Sequence, residues 1–580
     1  MEIQGLEVAP LSALLLGGSV AALLLLTLRW NRRKRRILCK MERARRRRQA
    51  ALEHMERAVQ RFKQENPGVN PGPILSLSLV ELTEKIQNGS LSPESVLYTY
   101  IEKALEVHKD VNCLTDFFPE CEAQLQDAKK QNNKGLLYGV PISIKDNFNY
   151  KGHDSSMGLV NFLERPSSED CVLVQVLKKQ GAVPFVKTNV PQSMLNFDCS
   201  NLIFGQTVNP MRHKKSSGGS SGGEAALITS GGSILGFGSD IGGSVRLPSS
   251  FCGICGFKPT GNRLSKRGIS TSAQGQKTVI AMVGPLARDV DSVVLCMRAL
   301  LCDDMFRLDP TVPPIPFNEE VYTSPRPLRV GYYETDGFTM PSPSMKRAVL
   351  EMKLLLEKAG HTLVAFTPPR VEYATFELCS RGVLSDGGAT LLDKFKGDLI
   401  DPNLKQQIQC YRIPRVIKTL LSIIAKPLFP RLSYLLQNLR DMGSIKELWK
   451  HHVEAEEYRH EFIARWKELD LDVMLCPVPS PAFTIGYPGR LSVAVSYTIL
   501  YNLLDFPAGV VPVTAVTTED EKDLKHYKGY YKDPWDKLFR EAVEGSVGLP
   551  AAVQCVALPW EEELCLRFMK EVETLAREQN

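Results

Sequence analysis

Glycine and serine residues in one segment are the part of this chain best suited to chemistry. Between Gly218 and Gly243, ten of twenty-six residues are glycine; Ser220 lies near the start of the segment and Ser244 directly follows it. Glycine allows positive φ angles and lets the backbone approach a ligand closely. Backbone N–H groups that point in one direction stabilise an oxygen that becomes negative in a transition state. The segment therefore predicts an oxyanion site beside a hydroxyl nucleophile.

Other roles for this segment are a phosphate-binding loop, a purely structural loop, or the nucleophile elbow of a Ser-His-Asp hydrolase. No GxxxxGKS/T motif occurs, which weakens the phosphate interpretation. Residues 218–222 fit G-x-S-x-G, but that motif follows a buried strand and requires a later histidine, whereas residues 211–217 are polar. The later histidines lie in charged or turn-like contexts, and they are His361, His451, His452, His460 and His526. A serine–histidine triad is therefore poorly supported.

A lysine ends a short apolar strand upstream of this segment. Residues 139–145 read GVPISIK, and a period of two places Ile142 and Ile144 on one face, with Ser143 and Lys145 on the other. One interpretation is a surface lysine whose stem lies along the strand. The other is a buried amine, whose pKa falls because burial disfavours the charged form, so that it acts as a base. The strand pattern alone leaves both open.

Together these segments resemble the amidase signature family. The match includes GGSSGG at residues 218–223 and GSDIGGSVRLP at residues 238–248, with Lys145 at the end of its strand. Within the family, the chain is most similar to the membrane-bound branch that cleaves lipid amides. The segments that carry this similarity are PQSM (191–194), FGQTVNP (204–210), FCGICGFKPTGNRLSK (251–266), LDFPAGVVPVT (504–514) and VGLPAAVQCVALPWEEELCLRFM (547–569). The resemblance covers nearly the whole chain from about residue 40 onward.

The resemblance assigns a catalytic role to each of three residues. Ser244 is the expected nucleophile, Lys145 the general base, and Ser220 the bridge that passes a proton between them. Attack of Ser244 on an acyl carbonyl gives a covalent acyl-enzyme, which water then hydrolyses. The same resemblance predicts a cis peptide bond between Gly219 and Ser220.

An oxyanion hole and a substrate channel are also implied by the resemblance. The expected oxyanion donors are the backbone N–H groups of Ile241, Gly242, Gly243 and Ser244. The expected substrate-contacting residues are Met194, Ser220, Ile499 and Trp535. Leu195 and Leu435 stand where the lipid-cleaving members are expected to carry phenylalanine, and this departure leaves the acyl-chain preference open. Asp240 and Arg246 flank the nucleophile and are expected to brace its loop by an ion pair or hydrogen bonds.

The activity that the resemblance implies is hydrolysis of fatty acid amides to a fatty acid and an amine. The expected substrates are N-acylethanolamines such as anandamide and primary amides such as oleamide, so that hydrolysis would end signalling by these lipids. No metal or organic cofactor is expected. Two alternatives of other kinds stay open, namely an amidase of small amides and a non-enzymatic membrane scaffold.

An uncharged segment near the N-terminus, residues 9–28, predicts a transmembrane helix. Twenty helical residues span about 30 Å, the thickness of a bilayer core. A cleaved signal peptide carries its positive charges before the apolar core, whereas here Glu2 and Glu7 precede it and Arg29 follows. The positive-inside rule then places the body in the cytosol. The resemblance adds an expected location on endomembranes, in the endoplasmic reticulum or also the Golgi.

Positive charge is concentrated just after that segment. Residues 29–48 contain twelve arginines and lysines and one acid, a local net charge of +11, so the rest of the chain carries −5 of the total +6. Because the basicity is local, a nucleic-acid partner is not expected. Residues 29–73 are interpreted as a basic juxtamembrane helix, predicted over 41–65, and a linker to residue 73.

Apolar strands alternate with helical patterns over the remaining chain, residues 74–576, which we interpret as the catalytic domain. The predicted strands include 182–186, 328–332, 471–475, 510–516 and 552–556. Strands separated by helices predict an α/β fold with a largely parallel or mixed sheet. The resemblance implies the amidase signature fold, a large twisted mixed β-sheet covered by helices.

Residues 412–440 form a second membrane candidate, a helical hairpin interrupted by Pro427 and Pro430. Its apolar positions follow helical spacing and are Ile417, Leu420, Leu421, Ile424, Leu432, Leu435 and Leu436. A basic, strongly apolar hairpin suits insertion into a membrane surface, but the pattern fits an ordinary core hairpin equally well. The resemblance favours a membrane cap that delivers lipid substrate to the site.

Two further partners are considered, an SH3-type domain and a second copy of the chain. Residues 310–316 contain two overlapping PxxP frames, the form of an SH3 ligand, although such a run is more often a stiff linker. The resemblance also implies a homodimer. The only CxxC motif, at residues 252–255, lacks the second pair that a zinc ribbon needs, so no metal site is expected.

Overall fold

The computed structural model describes the backbone of residues 9–132 and 134–579, and their side chains except those of residues 9–18, 20 and 21. The strands are β1 (Leu114–Phe117), β2 (Pro141–Lys145), β3 (Val183–Thr188), β4 (Ser200–Asn201), β5 (Gly205–Gln206), β6 (Val208–Asn209), β7 (Arg212–Ser216), β8 (Leu235–Asp240), β9 (Cys255–Lys258), β10 (Met282–Ala287), β11 (Arg329–Tyr332), β12 (Thr362–Ala365), β13 (Val473–Pro477), β14 (Ala508–Ala515) and β15 (Pro550–Ala557).

The helices are α1 (Ala9–Glu65), α2 (Pro71–Ser76), α3 (Leu79–Gln87), α4 (Pro93–Val111), α5 (Cys121–Lys130), α6 (Val172–Lys179), α7 (Gly222–Thr229), α8 (Arg246–Cys252), α9 (Val290–Leu300), α10 (Asp303–Leu308), α11 (Glu319–Thr323), α12 (Pro343–Lys358), α13 (Val371–Tyr373), α14 (Arg381–Val383), α15 (Ala389–Lys394), α16 (Pro402–Arg412), α17 (Arg415–Ala425), α18 (Pro430–Asn438), α19 (Ile445–Glu468), α20 (Ser496–Leu503), α21 (Thr518–Leu524), α22 (Pro534–Val543) and α23 (Glu562–Gln579).

A single large mixed sheet forms the centre of the catalytic body. Within the described ranges its eleven strands run in the order β1-β3-β2-β8-β10-β9-β14-β15-β13-β11-β12. Strand β2 pairs in parallel with both β3 and β8, whereas β14 and β15 pair antiparallel. Helices α12 and α23 pack against the half of the sheet that contains β13, β14 and β15. The prediction of an α/β fold with a mixed sheet is confirmed.

The parallel arrangement of β2 and β8 brings the two chemical segments together. Ile144 is the register partner of Phe237, so the strands end near each other at Lys145 and Asp240. Parallel strands point their carboxyl ends toward the same edge of a sheet. The lysine and the loop that leads to Ser244 therefore meet at one edge.

The basic residues of helix α1 fall into two groups, one paired with the body and one exposed. Arg43 pairs with Glu164 at 2.5 Å and Arg47 with Asp154 at 2.7 Å, so this part of the helix is fixed to the body. The cations of residues 29–36 are exposed, and none of them forms an ion pair with a described residue. The helix ends at Glu65 as predicted. The expected linker to residue 73 is wrong in its second half, because α2 begins at Pro71 with the Asn70 side chain accepting from the Gly72 N–H.

The membrane prediction for the N-terminus concerns side chains that are mostly not described. Among those that are, no helix is both long and apolar enough to cross a bilayer. The predicted span, residues 9–28, lies mainly outside this set, since only the helical backbone of residues 9–18, 20 and 21 is described.

The hairpin of residues 412–440 forms as two packed helices, α17 and α18, separated at Pro427 and Pro430. The predicted apolar positions that are exposed are Ile417, Leu420, Leu421, Ile424 and Leu432. Leu436 is buried and Leu435 is half-buried, so these two point into the protein instead of outward. Arg431 fixes α18 to the body through ion pairs with Asp533 and Asp536.

The proline-rich segment, residues 310–316, is attached to the body. Val312 is buried, and the Arg263 guanidinium donates a hydrogen bond to the backbone oxygen of Ile315. These contacts favour the stiff-linker interpretation over an SH3 ligand.

Candidate active site

Lys145 occupies the buried end of strand β2, and all five residues of that strand are buried. Its Nζ atom lies 2.7 Å from Ser220 Oγ, 3.0 Å from Ser239 Oγ and 3.1 Å from the Ser239 carbonyl oxygen. Burial lowers the pKa of Lys145 to about 7, although the nearby Asp240 carboxylate opposes part of that fall. The structure therefore decides between the two interpretations of this lysine, because a surface position is excluded.

Ser220 lies two residues before helix α7 and is almost fully buried. The peptide bond between Gly219 and Ser220 is cis, as predicted. A Cβ atom on Gly219 would lie 2.8 Å from the Asn196 carbonyl oxygen, so a residue with a side chain does not fit at this position. The turn directs the Ser220 hydroxyl toward Lys145.

Ser244 lies between the end of β8 and the start of α8, and its side chain is half-buried. Its hydroxyl makes no hydrogen bond with any described residue, and the link from Ser220 to Ser244 is therefore not closed in this geometry. Both serines nevertheless line one small cavity. Their order along a proton path, with Lys145 behind Ser220, is compatible with the predicted relay.

The four predicted oxyanion donors differ in whether their backbone N–H groups already have an acceptor. The backbone N–H of Gly243 donates to Asp240 Oδ1 at 2.8 Å and is therefore already engaged. Gly243 has φ 118°, and a Cβ atom there would lie 2.4 Å from Thr498 Oγ1. The N–H groups of Ile241, Gly242 and Ser244 have no acceptor within the described part of the chain, and all three residues line the large cavity.

Asp240 and Arg246 brace the loop, as predicted. Both side chains are fully buried, and Arg246 donates to the two carboxylate oxygens at 2.9 and 3.1 Å. Arg246 is itself held by Gln554 at 2.8 Å and Asn502 at 2.6 Å. Burial by itself would raise the pKa of Asp240, but the guanidinium charge and the loop N–H groups hold it well below its usual range. Asp240 is therefore a carboxylate that fixes the loop.

An apolar cavity of about 500 Å³ extends from Ser244 to the hairpin α17–α18. Its walls include the predicted substrate-contacting residues Met194, Ile499 and Trp535, together with Leu195 and Leu435. Phe429 and Leu432 of the hairpin line its outer part and are exposed. An apolar cavity of this size suits a long hydrocarbon chain.

A second cavity of about 250 Å³ meets the first at Met194, Leu195, Ile241 and Ser244. Its remaining walls combine polar and apolar side chains, and they include Ser239, Lys266, Gln276, Ile269, Val279 and Ile280. Two separate cavities therefore open beside the Ser244 hydroxyl group.

Sequence reasoning missed several residues of this site. Ser239 contacts Lys145 with two of its oxygen atoms, and Asn147 donates to Ser239 Oγ at 3.3 Å and to the Ser270 carbonyl oxygen at 2.9 Å. Glu224 lies fully buried behind the lysine. The position of Ser239, one residue before Asp240 at the end of an apolar strand, was the available signal for the first of these.

Comparisons with known proteins give concordant results. The amidase family model matches residues 95–566. A fatty-acid amide hydrolase 1 from Sus scrofa is 58% identical over 550 residues, 95% of this chain and 94% of that protein. A vitamin D3 hydroxylase-associated protein from Gallus gallus is 61% identical over 442 residues, 76% of this chain and 94% of its own length. A solved structure of a fatty acid amide hydrolase superposes with a TM-score of 0.76 at 26% identity, covering 93% of this chain and 95% of that one.

Proposed function

The chain belongs to the amidase family, and on that premise we propose that it is a membrane-bound serine hydrolase of fatty acid amides. The observation that carries the proposal is the junction of a buried lysine–serine pair with an apolar cavity at Ser244. The names of two similar proteins, both fatty acid amide hydrolases, support the substrate class. N-acylethanolamines and primary fatty amides are the proposed substrates.

In the proposed acylation step, neutral Lys145 takes the proton of Ser220, and Ser220 takes the proton of Ser244. The Ser244 oxygen attacks the acyl carbonyl, and the carbonyl oxygen becomes negative. Because the Ser220–Ser244 hydrogen bond is open in this geometry, we infer that it closes when substrate binds, as catalytic hydrogen bonds often do. The proposed oxyanion donors are the N–H groups of Ile241, Gly242 and Ser244, with the Gly243 N–H retained by Asp240.

The proton then returns through Ser220 to the leaving nitrogen, because an amine leaves poorly unless it is protonated. The smaller cavity beside Ser244 offers that amine an exit separate from the cavity proposed for the acyl chain. Water entering by the same cavity attacks the acyl-enzyme, with Lys145 again as base, and releases the fatty acid. The residues of the chain supply every proton transfer in this scheme, so the proposal requires no cofactor.

A membrane location follows from two surfaces of the chain. Phe429 and Leu432 of the hairpin are exposed and line the large cavity, and the same hairpin carries further exposed apolar residues on α17, so we propose that lipid passes from a bilayer into the cavity here. Residues 9–28 are proposed as a single-pass anchor, with the exposed cations of residues 29–36 on the cytosolic side. We place the enzyme on endomembranes, the endoplasmic reticulum or Golgi, with its catalytic body in the cytosol.

A homodimer is the proposed assembly. Ile445, Trp449 and Val453 of α19 are spaced four residues apart and are 67%, 68% and 53% exposed. Four-residue spacing puts the three side chains on one face of the helix. An exposed apolar stripe of this kind is suited to contact with a second copy.

Labelling with a lipid fluorophosphonate tests the function directly. Peptide mapping should find the adduct on Ser244, and hydrolysis should improve as the acyl chain of the amide lengthens. A Ser244→Ala variant that retained hydrolysis would refute the nucleophile, and a scaffold would keep its function in that variant. A rate that does not rise with chain length would instead favour an amidase of small amides.

A further inference from the structure

Glu224 is a fully buried carboxyl group in the first turn of α7, in the layer directly behind Lys145. Its Oε2 atom lies 2.6 Å from Ser143 Oγ, and its Oε1 atom lies 2.8 Å from Thr188 Oγ1. Ser143 precedes Lys145 by two residues on β2, and Thr188 is the register partner of Lys145 on β3. Among the described residues, no lysine or arginine forms an ion pair with Glu224. A buried carboxylate without a cation is strongly disfavoured.

Counting hydrogens in this cluster fixes the state of the carboxyl group. Four contacts connect it: Ser233 Oγ to the Leu235 carbonyl at 2.9 Å, Ser143 Oγ to Ser233 Oγ at 2.9 Å, Ser143 Oγ to Glu224 at 2.6 Å, and Thr188 Oγ1 to Glu224 at 2.8 Å. Each contact needs one hydrogen, and each hydroxyl group supplies one. Three hydroxyl groups therefore satisfy three contacts. The fourth hydrogen must come from Glu224, which then donates to Ser143.

From this geometry we propose that Glu224 is held as a neutral carboxylic acid, so that the layer behind Lys145 carries no negative charge that would favour the ammonium form of the lysine. A carboxylate at this place would favour the ammonium form of Lys145 by Coulomb attraction across a medium of low dielectric. A neutral acid exerts no such attraction and leaves burial to dominate. The proposal rests on the proposed role of Lys145 as base, and it adds a reason why that base is available near neutral pH.

The other ionisable groups around the pair do not change this conclusion. The carboxyl groups of Asp146 and Asp240 act to raise the pKa of Lys145, and Asp240 forms an ion pair with Arg246. The thiols of Cys113 and Cys199 also lie near the cluster. Burial raises the pKa of Glu224 to about 8, against the opposing effect of its hydroxyl partners, and it also raises the pKa values of both thiols. At pH 7 the neutral forms of Glu224 and of both thiols are therefore favoured.

Infrared difference spectroscopy on the full-length protein at pH 7 tests the proposal without requiring activity. The spectrum of the wild type minus that of Glu224→Gln should contain the carbonyl stretch of a protonated carboxylic acid. The matched control is Glu562→Gln, because Glu562 is equally buried but lies 3.0 Å from the Arg263 guanidinium. That difference spectrum should contain carboxylate bands. Carboxylate bands for Glu224 would overturn the proposal, whatever the result for Lys145.

A milder variant covers the case in which Glu224→Gln fails to fold. Thr188→Val keeps the shape of the side chain but removes the hydrogen that Oε1 accepts. If Glu224 is protonated, its carbonyl band should move to higher frequency in this variant. If no acid band is present to move, the proposal is wrong.

The pH profile gives the functional measurement. In Glu224→Gln, the acid limb of kcat/KM should stay within about 0.3 pH units of its wild-type position, because one neutral group replaces another. Removal of a carboxylate would instead move the limb to lower pH by about one unit or more. If the Lys145→Ala variant retained the acid limb of kcat/KM, Lys145 would not be the base. The infrared spectra would still determine the protonation state of Glu224 in that case.

Discussion

The Nζ atom of Lys145 lies 2.7 Å from the Oγ atom of Ser220, and both groups are buried. The two residues are 75 positions apart in the chain, and the contact exists because β2 lies between β3 and β8 in the sheet. A lysine in this setting holds its proton weakly, so the hydroxyl group has a base at hydrogen-bond distance.

The pH dependence of hydrolysis should follow the ionisation of Lys145. Burial lowers the pKa of Lys145 to about 7, so the neutral base is lost as pH falls through 7 and is fully present above about pH 8. We expect kcat/KM to rise with pH along this limb and then level off. Lys145→Ala should remove the limb and lower kcat by about 10²–10⁴-fold. Lys522→Ala, at an exposed lysine, is the control, and a limb that survives in Lys145→Ala would contradict the assignment.

The two serines should differ in their reaction with a lipid fluorophosphonate. Ser244→Ala removes the attacking oxygen, so neither labelling nor hydrolysis should be detectable. Ser220→Ala leaves that oxygen but breaks the path to Lys145, so labelling should still reach completion at a rate lower by about 10²-fold or more. Mass spectrometry over time measures both rates. Equal loss of labelling in both variants would argue against a bridging role for Ser220.

The ion pair between Asp240 and Arg246 should contribute to the free energy of unfolding. Asp240→Asn leaves a buried guanidinium without its anion, which costs about 3–5 kcal/mol in comparable pairs. Because the pKa of Asp240 is lowered in the folded protein, its stabilising effect is present above the ordinary carboxyl pKa and is lost as pH falls below it. Denaturant unfolding of the wild type and Asp240→Asn should therefore differ at pH 7 and converge in acid.

The control for that experiment is Glu519→Gln, which breaks an exposed ion pair with Lys522. It should leave the unfolding midpoint nearly unchanged. An Asp240→Asn variant as stable as Glu519→Gln at pH 7 would show that the brace contributes little.

Acyl-chain preference should depend on the two leucines that line the large cavity. Leu195→Trp and Leu435→Trp each add volume to its wall. We expect kcat/KM for long-chain amides to fall by about 10-fold relative to short-chain amides, since overpacking an apolar site typically costs about 1–3 kcal/mol. A chain-length series on each variant measures the ratio. Leu354→Trp, at an exposed position on α12, should leave the ratio unchanged.

Insertion of the hairpin into membranes should depend on its exposed apolar residues. Ile424→Glu places a charge on a side chain that is 61% exposed and should weaken binding to vesicles and slow the hydrolysis of lipid presented in them. Hydrolysis of a short, water-soluble amide should be unaffected. Leu354→Glu, 53% exposed but distant from the hairpin in sequence, is the control. Equal effects of the two substitutions on vesicle hydrolysis would argue against a membrane cap.

The sequence by itself determined the identity of the chemical segments and the class of fold. Glycine-rich spacing around Ser220 and Ser244 is a local property, because a backbone that must make tight turns accepts few other residues. The mixed α/β sheet was also predictable, since the strand periodicity and the intervening helical patterns are local. The brace by Asp240 and Arg246 was predicted because the two residues are only six positions apart.

The tertiary structure decided everything that depends on which segments meet. The strand pattern left Lys145 open between a surface and a buried position, and only the flanking strands β3 and β8 excluded water from it. The hydrogen-bond direction of the Gly243 N–H, the inward orientation of Leu435, and the buried pair of Arg431 with Asp533 likewise come from packing. Arg431 and Asp533 are 102 residues apart, and no periodicity in a sequence encodes such a distance. Burial and contacts between remote segments determine the pKa values of the site and which backbone N–H groups lack an acceptor. The chemistry of the site is therefore a property of the folded chain.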